Sequence, residues 1–157
     1  MDALVLPALL FIHVGGAIIG FGPTFAFSVL GPAAGKAGPN GGAAILGTIV
    51  AIEDRFVKPV ALVLQPLSGI ALIFVAGYAT DFFRHYWLIA ALILYVAALY
   101  IAFMVNFPAI HRMLELARSG PPTPEMAALA QRTARMGPIL TVLLSLIILL
   151  MVTKPLG

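Results

Sequence analysis

Apolar positions fill four stretches of the chain, Leu4–Leu30, Val57–Ala76, Trp87–Phe107 and Gly137–Val152, and polar positions gather in the segments between them. A helix rising about 1.5 Å per residue needs about 20 apolar residues to cross the hydrocarbon of a bilayer, and each stretch meets or approaches that length. Helical patterning extends beyond the apolar runs. Ala43–Phe56 carries an apolar face of Ile45, Leu46, Ile49, Val50 and Ile52 ahead of Glu53-Asp54-Arg55, read as an interfacial anchor, with Asp54 and Lys58 spaced to pair. Thr123 followed by Pro124 is a helix start, with the hydroxyl as cap and proline at the first helical position. Glu125 to Arg135 then reads as an amphipathic connection. The pattern predicts an all-α four-helix transmembrane bundle in one integral membrane domain, residues 1–157, with helices about 4–30, 43–76, 87–112 and 124–153. Gly31 to Gly42, rich in Gly and Pro, reads as an irregular loop. Pro23 predicts a kink in the first helix.

Composition sharpens this to a membrane protein. Of 157 residues 62% are hydrophobic and 10% charged, and the mean hydropathy is +1.09, beyond the range of a soluble domain. The start, Met1-Asp2-Ala3, has no basic n-region, so the first segment is expected to be retained. The absence of cysteine excludes disulfides, thiolate metal sites and thiol chemistry. The net charge of +3 does not imply a nucleic-acid partner, because the basic residues are sparse and sit at helix ends. Lys36, Arg55, Lys58, Arg112, Arg118, Arg132 and Arg135 fall on one side, against Arg84 and Lys154 on the other. By the positive-inside rule both termini face outward and the connections 31–57 and 108–136 face the cytoplasm. Gly77 to Trp87 forms the aromatic belt of the outer hairpin, where His85 is an interfacial side chain.

Candidate chemistry centres on His13. Gly16 and Gly20 follow it at i+3 and i+7, so the imidazole stands beside a groove of small residues that another helix or a flat ligand would fill. Gln65 lies ~12 Å from the inner end of its helix and His13 ~15 Å from the outer end, which brings both near the midplane. Ser68 is one turn beyond Gln65, and Tyr95 falls at about the depth of His13. Pro66 frees the carbonyl of Leu62. No Asp or Glu is expected inside a helix core, which argues against a carboxylate proton relay. Neither a catalytic triad, a metal-binding HExxH nor a dinucleotide fingerprint occurs.

The His13 helix with its small-residue tail, followed by Pro59, Gln65-Pro66 and Ser68-Gly69, resembles a bacterial family of four-helix integral membrane proteins of unknown function. More distantly it is similar to the HemJ-type protoporphyrinogen oxidases and the CopD-like copper-resistance proteins. That resemblance implies a bacterial cytoplasmic (inner) membrane and a haem b held by His13 as iron ligand; Gly16, Gly20, Gln65, Ser68 and Tyr95 are the residues that depth and spacing place around it. The third helix has neither Lys nor His in its membrane core, so such a haem would be five-coordinate. Three readings stay open: a haem- or porphyrin-handling redox protein, a small-molecule or ion permease lined by His13, Gln65 and Tyr95, and a non-catalytic subunit of a larger membrane complex or homo-oligomer. Whether the chain is an enzyme is left undecided by its sequence.

Overall fold

A computed structural model describes residues 4–155; Met1-Asp2-Ala3, the basis of the expectation about the N-terminus, lies outside the described residues. Among these residues four helices are long and apolar enough to cross a membrane, and no strand occurs: α1 Val5–Lys36, α2 Asn40–Val75, α3 Tyr86–Ser119 and α4 Pro124–Thr153. They pack as an up-and-down ring, α1 on α2, the first half of α2 on the second half of α3, α3 on α4, and α4 back on α1. Val57, Ala98, Ala102, Phe107, Leu140 and Leu144 form one buried cluster, and Ala34, Leu46, Met113 and Leu114 a second towards the α1–α2 turn. Large apolar side chains such as Phe11, Ile18, Leu67, Ile93 and Leu146 point outward, as a lipid solvent requires.

Two boundaries differ from expectation. The segment 31–42 is not an irregular loop: α1 continues through Pro32 to Lys36, and helix resumes at Gly38. The reversal is made at Gly38, whose φ of +72° suits a residue without Cβ. Gly42 then lies so close to α1 that a Cβ there would meet the Ala34 carbonyl oxygen at 2.7 Å. The small residues therefore serve a tight helical hairpin. The helical range of α1 includes Pro23. α4 begins as expected, the Thr123 hydroxyl accepting from the Met126 amide at 3.2 Å, and passes through Gly137-Pro138 without interruption.

Three π turns interrupt the middle helices, at Glu53–Val57, Val60–Leu64 and Ile101–Asn106. Each is followed by one residue and then a proline: Lys58-Pro59, Gln65-Pro66 and Phe107-Pro108. A proline ring clashes with the carbonyl four residues back and offers it no N–H, and a wider π turn just upstream relieves that conflict without breaking the helix. Each π turn also advances the helix face by one residue, which decides what faces the bundle interior.

Candidate functional site

His13 meets α2 as its depth predicted. Its Nδ1 lies 2.8 Å from the Ser68 hydroxyl, which itself donates to the Leu64 carbonyl at 2.6 Å. While the Ser68 hydroxyl donates to Leu64 it accepts from the ring, an arrangement that puts the imidazole proton on Nδ1 and makes Nε2 the acceptor. The Gln65 amide nitrogen stands 3.4 Å from Nε2 and donates to it. Both ring nitrogens are thereby used in joining α1 to α2. Gly16 and Gly20 are buried beneath α2. A Cβ on Gly16 would fall 2.8 Å from the Leu64 side chain, and one on Gly20 would collide with the Val60 side chain. The glycine groove is filled by a neighbouring helix.

Tyr95 belongs to a different contact. Its hydroxyl donates to the Ala61 carbonyl, and its ring meets Phe21 edge-on at 6.3 Å. The Ala61 carbonyl lacks a backbone donor because the Gln65 amide donates to Val60 in the π turn and Pro66 has no N–H. Neither backbone donor one turn ahead can serve Ala61, and Tyr95 does so from α3.

Below Tyr95 lies a cavity of about 390 Å³ bounded by all four helices, with Phe21 and Phe27 of α1, Ala61 of α2, Phe103 of α3 and Leu140 and Leu144 of α4 in its wall. His13, Gln65 and Ser68 do not line it. Ser28, Gly35 and Ala134 do, and they are also exposed, so the cavity reaches the surface between the inner portions of α1 and α4. Its wall contains the full burial of Glu53, 0% exposed, together with the buried Asn106. Neither Glu53 carboxyl oxygen has a hydrogen-bond partner among the described residues, nor does Asn106 Oδ1.

Glu53 corrects the expectation that no carboxylate lies inside a helix core. The α-helical stripe that carries Leu46 and Ile49 inward carries Glu53 with them at the start of the π turn, while Asp54 and Arg55 stay exposed and Asp54 pairs with Lys58 as expected. The signal was present in the spacing: Leu46, Ile49, Glu53, Val57 and Val60 recur at helical intervals and are all buried. Asn106 likewise sits on a buried stripe with Ala102, Ala109 and Met113. Reading Glu53-Asp54-Arg55 as one charged block concealed the difference.

Residues 7–155 match the family described as predicted integral membrane protein (DUF2269). The chain belongs to that family. No curated protein matches the chain, HemJ-type and CopD-like proteins included, and no solved structure matches it either. With four helices of spanning length, this member of the family is a multi-pass integral membrane protein.

Proposed function

We propose that the protein is a small-molecule permease that takes an apolar or amphiphilic guest into the cavity of its inner half, in a form closed towards the outer side. The observation that carries this reading is a cavity of about 390 Å³ bounded by all four helices, large enough for a small organic molecule and lined mostly by apolar groups. Tyr95, Phe21 and Ala61 form its outer limit, and the His13–Ser68–Gln65 clasp holds α1 and α2 together above them. Permeation then requires that the clasp or the Tyr95 contact open in turn.

The test is binding and flux of a neutral aryl probe, naphthylmethanol, with empty nanodiscs and empty liposomes as the respective controls. Saturable binding in nanodiscs and carrier-dependent efflux from liposomes are expected. Ala98→Phe, which puts a ring into the cavity wall, should abolish both while the protein remains monodisperse. Binding that is no greater than in empty nanodiscs would overturn the reading.

One observation favours a second reading, haem or porphyrin binding through His13. The proton on Nδ1 leaves the lone pair on Nε2, the nitrogen that ligates iron in many haem proteins. In the present arrangement the residues do not fit the group: Gln65 caps Nε2, and Leu64 and Val60 cover the faces of Gly16 and Gly20 where a macrocycle would lie. No step is assigned to it. Detergent extracts from cells supplied with haem precursor should be colourless. A Soret band lost in His13→Ala and kept in His85→Ala and His111→Ala would establish haem binding instead.

A further inference from the structure

We infer that the cavity selects organic ammonium compounds, with the Glu53 carboxylate and the Asn106 side-chain oxygen as receptors for the N–H donors and the aromatic wall as receptor for an aryl or alkyl body. This rests on the cavity reading above and names the class of guest. Three acceptor atoms, both oxygens of Glu53 and Oδ1 of Asn106, are buried at the same cavity and unpaired among the described residues. Buried acceptors without donors are costly, and a buried unpaired carboxylate more so. A guest that brings several N–H donors and one positive charge relieves both costs together.

The surrounding groups narrow the choice. Lys58, one turn beyond Glu53, is held on the outside by Asp54 and lies over the Phe107 ring. Of the other hydroxyls in the wall, those of Ser28 and Thr133 donate to backbone carbonyls of their own helices and that of Tyr95 to Ala61, while Thr24 offers a single neutral hydroxyl against three acceptor atoms. The wall contains no Lys, Arg or His. A zwitterionic phospholipid headgroup would bring a phosphate with its ammonium and find no cation to meet it, so the chemistry fits a free amine. Phe21, Phe27 and Phe103 provide ring surfaces for the apolar body and for the cation itself.

The test compares three probes with one naphthylmethyl body on the intact protein in nanodiscs: naphthylmethylamine, naphthylmethanol and the bulkier quaternary trimethyl derivative of the amine. The amine should bind about ten- to hundredfold more tightly than the alcohol, the range expected for charge-assisted hydrogen bonds in a buried site. The quaternary form, which keeps the charge and lacks N–H donors, should fall between them. Glu53→Gln should abolish the preference of amine over alcohol while the protein remains monodisperse, which shows that the variant is folded. Asn106→Leu should reduce the preference in part. Equal binding of amine and alcohol by the wild type, or a preference unchanged in Glu53→Gln, overturns the assignment of ammonium compounds while the cavity itself stands; absence of binding by all three probes removes the cavity reading with it.

Discussion

A histidine placed in hydrocarbon has two ring nitrogens to satisfy, and here α2 provides for both, Ser68 accepting and Gln65 donating. His13→Leu should cost on the order of 1–2 kcal/mol for interhelical hydrogen bonds in a bilayer, read as earlier loss of the monodisperse peak on heating in detergent. A variant as stable as wild type would show that the clasp contributes nothing. Tyr95→Phe should be destabilising by a similar amount, because the Ala61 carbonyl then has no donor from side chain or backbone. In a Pro66→Ala background that penalty should shrink, since residue 66 regains an N–H within reach of the same carbonyl; additive losses in the double mutant would disprove this origin of the Tyr95 contact. At this scale the sequence was informative where rise per residue decides the matter: it placed His13 beside Gln65 and Ser68 from depth alone. It could not place Tyr95, because the carbonyl that Tyr95 serves exists only through the combination of a π turn and Pro66.

The elements were legible from hydropathy, and the length of α1 was not. Glycine and proline at 31–42 indicate a loop under local rules, yet α1 reaches Lys36 because the close approach of Gly42 to Ala34 stabilises a hairpin of two helices, a contact that only the partner helix reveals. The same tertiary logic separates glycines of identical local character. Gly15 and Gly20 both lie in α1, but a Cβ on Gly15 meets nothing within 4 Å while one on Gly20 would collide with Val60. Gly20→Leu should therefore destabilise the bundle by about 1–3 kcal/mol or abolish its folding, and Gly15→Leu should leave it near wild type, checked by thermal retention of the same peak. Equal effects would show that α1 and α2 do not meet along this seam. The π turns ahead of Pro59, Pro66 and Pro108 belong to this scale too, as does the stripe of Leu46, Ile49 and Glu53 that separates Glu53 from its charged neighbours.

Across the whole molecule, charge and cavity define opposite ends. Lys154 lies over the rings of Tyr78 and Trp87 at one end. Arg112 bridges α3 to α4 through Glu125 at the other. Seven of the nine basic residues lie at that second end, so reporter fusions at Gly157 should be active only outside the cytoplasm, and cytoplasmic activity would reverse the orientation. With that orientation the cavity opens on the cytoplasmic half. Its existence was not visible in composition, because a void among Phe27, Phe103 and Leu144 reflects how four helices diverge and not what each contains. The most direct measurement is photolabelling of the protein in nanodiscs with an aryl primary amine carrying a diazirine, mapped by mass spectrometry. Labels on the cavity-lining residues Phe21, Thr24, Phe27, Ala102 and Phe103, displaced by excess naphthylmethylamine and lost in Ala98→Phe, are the predicted result. Labels confined to the lipid-facing residues Ile18, Ile93 and Leu146, undiminished by competitor, would contradict a binding site inside the bundle.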